Sequence, residues 1–137
     1  MFLIIAGCTQ VGALLVKKFV DTGHNVVVID RDKGNFDYLE TGCNCLMIHG
    51  MPIDEDVLKE AGIERADALI AVTAEDNMNI MISQIAKHLY HVPHVMMQAN
   101  HPERQAVLSA KGLHMICPIA LTADHFYTSL LQKENSI

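Results

Sequence analysis

Short apolar runs and longer amphipathic stretches alternate along the whole chain. The runs Phe2–Ala6, Asn25–Asp30, Cys45–His49, Ala68–Val72, His94–Gln98 and His114–Cys117 are rich in Val, Ile, Leu and Met and show no clean polar–apolar alternation. A strand covered on both faces has no wet side to encode, so these six are predicted as buried strands. The stretches Val11–Thr22, Asn35–Thr41, Asp54–Ala61, Asp76–Leu89, Pro102–Ala110 and Ile119–Leu131 are predicted as helices. Gly23, Gly42, Gly62 and Gly112 each follow a helical stretch, where a left-handed cap is needed. Asp54 and Asp76 stand at helix starts, where a carboxylate accepts orphan backbone N–H groups. Strand, helix and strand in repeated succession with short connections require parallel strands and right-handed crossovers. The predicted fold is α/β: a Rossmann-like doubly wound parallel sheet with helices on both faces, one domain over residues 1–137 without repeat or linker.

The first turn carries the candidate chemistry. In "IIAGCTQVGALLV", Gly7 and Gly12 stand where a phosphate-binding turn has its outer glycines, and Thr9 replaces the middle one. The first glycine permits the tight turn, and the last lets helix and strand pack closely. The middle one admits the pyrophosphate to the helix N-terminus. The branched Cβ of Thr9 disfavours a positive φ and takes up space beside the phosphates, while its hydroxyl offers a phosphate a donor. Asp30 ends the second predicted strand, eighteen residues after Gly12. A carboxylate there accepts from ribose hydroxyls and repels a 2′-phosphate, which favours NAD(H) or adenosine compounds over NADP; Arg31 beside it weakens that discrimination. The plain alternative is that Asp30 only caps its strand in solvent.

Composition narrows the classes. Half the 137 residues are apolar and the net charge is −6 with no Lys/Arg cluster, so a sizeable core is expected and nucleic acid is not an expected partner. No apolar run approaches the ~20 residues that span a bilayer, and no signal peptide is expected ahead of a chain that starts on a strand. Cys8, Cys43, Cys45 and Cys117 match no zinc spacing and are expected to be reduced thiols, partly buried. Cys8 stands apart, because a thiolate is favoured at the helix N-terminus predicted there.

The stretches "GCTQVG", "VVVIDRD", "LKEAGIERADALIAVTAEDNMNI" and "NHPERQAVLSAKGLHMICP" together resemble the TrkA amino-terminal domain family, the RCK or KTN domains that regulate potassium channels and transporters. The similarity runs from Phe2 to about Leu131. It is most specific where "AVT" precedes Asp76 and Asn79. The resemblance implies a cytoplasmic regulatory subunit, peripheral to the inner face of the membrane through its partner. That subunit would bind NAD(H) or an adenine nucleotide and gate a membrane potassium channel or transporter as a homodimer or larger ring. It further implies a phosphate loop of Gly7, Cys8, Thr9, Gln10 and Val11 with Gly12 as the packing glycine, and a ribose on Asp30. Met51 and Pro52 would lie near the adenine, and Thr73 and Ala74 at the cofactor's border. Thr9, Met51 and Gln98 depart from the family pattern, in which a glycine, an acid and an arginine are common. Together they imply a weakened or altered nucleotide preference, such as AMP, ADP or ATP in place of a full dinucleotide. In relatives the last helix can cross to a partner subunit. Here Ile119, Ala120, Ala123, Phe126, Tyr127 and Leu130 give it an apolar stripe, so 119–131 is expected to contact a second copy rather than fold back on its own sheet.

Other constellations carry less. His88, His91 and His94 resemble a metal motif, but Pro93 breaks the helix between them and no further ligand is near in sequence. Met78, Met81, Met96 and Met97 read as core and interface filler. There is no nucleophile elbow and no P-loop. Two alternatives stand beside the regulatory reading: a small NAD-dependent oxidoreductase, and a Rossmann-shaped interaction module that has lost its ligand.

Overall fold

The computed structural model describes residues 1–135, so the last two residues of the predicted domain lie outside it. Six strands form one parallel sheet: β1 (Phe2–Ala6), β2 (Asn25–Asp30), β3 (Leu46–His49), β4 (Ala68–Ala71), β5 (His94–Gln98) and β6 (His114–Ile116). Their order is β3-β2-β1-β4-β5-β6. The chain winds outward from β1 to β3, returns beside β1, and winds outward again to β6. The connections therefore part company between β1 and β4, and a crevice opens at the carboxyl ends of these strands.

Five helices follow the predicted pattern: α1 (Gln10–Asp21), α2 (Glu55–Ala61), α3 (Asp76–Gln84), α4 (Gln105–Ala110) and α5 (Pro118–Asn135). Alternate residues of the central strands serve opposite faces. Leu3, Ile5, Val26 and Val28 pack with Val16 of α1, whereas Ile4, Val27, Ile29 and Leu69 pack with Leu58 of α2 and Ile82 of α3. Both faces are apolar, which is why the strands show no alternation. Each of these side chains contributes about 1.5–3 kcal/mol on burial.

Three expectations are corrected. Residues 35–41 do not form an α-helix; the chain makes a 3-10 turn at Lys33–Tyr38, started by the Asp32 carboxylate accepting from Gly34 N at 2.9 Å. Gly34, Asn35 and Asp37 are poor helix formers, and none of the turn's residues is buried to hold a longer helix. The predicted helix at 76–89 changes after Gln84 into a π-helical turn, Ile85–Leu89. The stretch from Pro102 begins as a 3-10 turn, Pro102–Arg104, before α4. Gly23, Gly62 and Gly112 follow helices with positive φ, as expected, whereas Gly42 has a positive φ in a turn beyond the 3-10 segment and caps no helix. At Gly62 a Cβ would also come within 2.8 Å of the Phe2 ring, so both conformation and space require glycine there.

The last helix is not folded back on the sheet. None of its 18 residues is buried, and Phe126, Tyr127 and Leu130 are 74%, 68% and 68% exposed. Only Ala120, near its start, packs against the core. Among the methionines, Met97 is buried, Met78 packs on the core and Met81 is exposed. Among the described residues no helix is long and apolar enough to cross a membrane. Nor is any group of three or more His, Cys, Asp or Glu placed to hold a metal, His88, His91 and His94 included.

Candidate functional site

The turn after β1 is shaped by its two glycines. Gly7 sits at φ +112°, and a Cβ on it would lie 2.8 Å from the backbone nitrogen of Thr73. A Cβ on Gly12 would lie 2.0 Å from the carbonyl oxygen of Gly7, so α1 can approach the turn only with glycine there. Thr9 is the N-cap of α1, at φ −74° and ψ 178°. This is ordinary extended backbone, so the positive φ of the turn falls at Gly7 and the branched side chain at position 9 is unstrained. Its Oγ1 accepts from Gly12 N at 3.2 Å and donates to the Val72 carbonyl at 2.8 Å. A hydroxyl has one proton, and here it goes to Val72; the expectation of a free donor for phosphate is corrected.

Asp30 is not a strand cap in solvent. It is 6% exposed. Its Oδ2 accepts from Cys8 N at 2.8 Å, and its Oδ1 accepts from Asp32 N at 2.7 Å and from Asn35 Nδ2 at 3.2 Å. Two bonds fill Oδ1, and one acceptor position is left on Oδ2. The carboxylate thereby ties the glycine turn to the loop after β2. Cys8 lies beneath that tie, fully buried. Burial first, then the neighbouring Asp30 carboxylate and Cys43, push its thiol up to about 11. This runs against the expectation of a favoured thiolate at the helix N-terminus, since burial and the neighbouring Asp30 carboxylate both disfavour the charged form.

On the other side of the crevice, Asn79 of α3 organises the loop after β4. It is fully buried. Its Oδ1 accepts from Thr73 N at 2.9 Å and from Thr73 Oγ1 at 2.6 Å; its Nδ2 donates to the carbonyls of Thr73 at 3.1 Å and Gln98 at 2.9 Å. One amide thus fixes the carboxyl ends of β4 and β5 together. Asp76 does not cap α3 as expected. Its carboxylate accepts from Asn100 N at 3.0 Å and lies 2.7 Å from His101 Nδ1, while the N-cap position falls to Glu75 without a side-chain bond.

Of the residues expected at the site, Thr9, Asp30, Arg31, Pro52, Thr73 and Ala74 line one crevice of about 160 Å³. Gly7, Cys8 and Gly12 do not line it; they fix the turn that carries Thr9, Cys8 through its amide bond to Asp30. Gln10 and Val11 begin α1 and do not line it, and Gln10 faces a separate groove of about 560 Å³ between α1 and residues 38–44. Met51 is 39% exposed outside the crevice. Gln98 reaches the site only through its carbonyl bond to Asn79. So of the three departures from the family pattern, only Thr9 touches the crevice. Asp32, Asn35, Glu75 and Met78 also line it and were missed. The run "DRDKGN" after β2 held a signal for two of them, since Asp and Asn in a turn bond back to neighbouring backbone.

A parallel sheet with this strand order, and a glycine turn entering a helix at its switch point, defines the Rossmann-like class of α/β fold. Within that class the chain belongs to the TrkA-N domain family, whose model matches residues 3–118. It is 35% identical over 131 residues to the Trk system potassium uptake protein TrkA of Streptomyces coelicolor, covering 96% of this chain and 59% of that protein's length. Among solved structures it is similar to the GsuK channel bound to NAD, with TM-score 0.71, 21% identity and coverage of 85% of this chain and 21% of that one. It is likewise similar to the Kef carboxyl-terminal domain of Shewanella denitrificans in its AMP-bound form, with TM-score 0.79, 15% identity and coverage of 96% and 80%.

Proposed function

We propose that this domain is a nucleotide sensor that binds NAD(H) or an adenine nucleotide (AMP, ADP or ATP) in the crevice and regulates a membrane potassium transport protein. The observation that carries this reading is Asp30: a buried carboxylate with one free acceptor position, held beside a glycine turn at the N-terminus of a helix. A ribose hydroxyl donates to that position, and the phosphates extend beyond the crevice towards the N-terminus of α1. Membership of the TrkA-N family, and the potassium uptake protein and channel among its relatives, support the potassium link. The NAD and AMP bound by two structural neighbours support the ligand class.

A sensor is favoured over an oxidoreductase by the family, whose matching relatives include a potassium uptake protein and a channel. Signal passes to the partner through a second copy of the chain, which the apolar stripe of α5 contacts. Ligand binding can shift that assembly only by its differential affinity for the two arrangements.

Calorimetric titration with NAD⁺, NADH, AMP, ADP and ATP tests the reading. At least one is expected to bind, and Asp30→Asn, which keeps the shape but loses the charge, is expected to weaken it at least tenfold. Affinity unchanged in Asp30→Asn would remove Asp30 from the site. The absence of binding and of thermal stabilisation by all five would favour the interaction-module alternative.

A further inference from the structure

The strand order places β1 between β2 and β4, so any contact from the end of β2 to the loop before α3 crosses the carboxyl end of β1. Arg31 and Glu75 make that crossing. Arg31 Nη2 lies 3.2 Å from Glu75 Oε1, and both side chains line the crevice with Thr9 and Asp30. The space they bound is about 160 Å³, whereas pockets that enclose small ligands begin near ~300 Å³. A nucleotide seated over that space meets the pair. Both partners are about half exposed, and such ion pairs are weak enough to yield. Once parted, the guanidinium fork matches phosphate oxygens, and the Glu75 carboxylate is left facing the same anion. The remaining charged residues of the lining are Asp30 and Asp32, so the crevice carries three carboxylates and one guanidinium.

Resting on the nucleotide reading above, we propose that Glu75 sets ligand choice by charge: it competes for Arg31 and repels the ligand's phosphates. The crevice then ranks adenine ligands by their negative charge. Oxidised NAD, whose nicotinamide ring is cationic, binds ahead of AMP, AMP ahead of ADP, and ADP ahead of ATP. Arg31 is the opposing partner, with one of its N–H donors and part of its charge taken up by Glu75.

Calorimetry on the full chain, with wild type, Glu75→Gln and Arg31→Gln against these four ligands at low and high ionic strength, tests this. Glu75→Gln is expected to tighten ATP by about tenfold and NAD⁺ by less than about twofold. Arg31→Gln is expected to act in the opposite direction, weakening ATP most, and high salt to compress every difference. An unchanged ATP-to-NAD⁺ ratio in Glu75→Gln overturns the assignment and leaves the site itself standing. So do two substitutions that shift all four ligands in the same direction by the same factor, as a merely structural tie would. Failure of all three proteins to bind any ligand, with cooperative thermal unfolding retained, overturns the nucleotide reading and this inference together.

Discussion

At position 9 a threonine stands where the family pattern has a glycine, and its hydroxyl is used within the protein. Its hydroxyl caps α1 and holds the glycine turn against the end of β4, through bonds to Gly12 N and the Val72 carbonyl. Thr9→Val keeps the volume and removes both bonds. It is expected to cost about 1–2 kcal/mol by urea denaturation, with Thr9→Ser restoring most of it. The cysteine next to it makes a prediction of opposite character. The Cys8 thiol is raised from 9.0 to about 11 and that of Cys45 from 9.0 to about 12, chiefly by burial. In the unfolded chain both thiols lose their protons first. Above about pH 9 the native state therefore holds more protons, and stability falls as pH rises through 11. Near neutral pH these thiols make no such contribution. In native protein at about pH 8, Cys8 is accordingly expected to resist iodoacetamide and to label only after unfolding, as mass spectrometry would show.

At the scale of elements, the carboxyl ends of β4 and β5 are joined by one side chain. Asn79→Ala leaves the Thr73 N–H and the Gln98 carbonyl without their partner, and is expected to destabilise by about 2–4 kcal/mol in chemical denaturation. Nucleotide affinity should fall as well, because the loop bearing Thr73, Ala74 and Glu75 is held by the same bonds. The elements themselves were legible, since strands apolar on both faces and glycine-terminated helices leave strong local patterns. Asp30 was legible too, because its place after the second strand follows from the fold. What failed depended on partners distant in sequence. Asp76 reads as a cap until Asn100 and His101, brought up from the end of β5, take its carboxylate. The Cys8 amide and thiol look like helix-terminal chemistry until β2 delivers Asp30 beside them. The π turn at Ile85–Leu89 is built from residues that suit an α-helix equally well, so no local signal marks it. Glu75 entered the site only because β4 lies two strands from β2, close enough for Arg31 to reach across.

For the whole molecule the unresolved pressure lies in α5. An 18-residue helix without a buried side chain gains little from tertiary packing, yet carries Ile119, Leu121, Phe126, Tyr127 and Leu130 in the open. Short helices in water are marginal unless an apolar face is covered. Coverage by the same helix of a second copy needs only a two-fold axis, and it matches the expectation that residues 119–131 contact a partner. The double substitution Phe126→Asp and Leu130→Asp places charge in the middle of that stripe. It is expected to convert the proposed dimer to monomer in light scattering coupled to gel filtration, and to lower helix content in far-ultraviolet circular dichroism. The crevice is lined by residues that α5 does not supply. Nucleotide affinity of the monomeric variant should therefore stay within about threefold of wild type if the two arrangements of the dimer differ little in affinity. A larger change would measure the coupling free energy between crevice and interface directly, at about 1.4 kcal/mol per tenfold shift. A variant that remains dimeric with its helix intact would place the subunit contact elsewhere on the molecule.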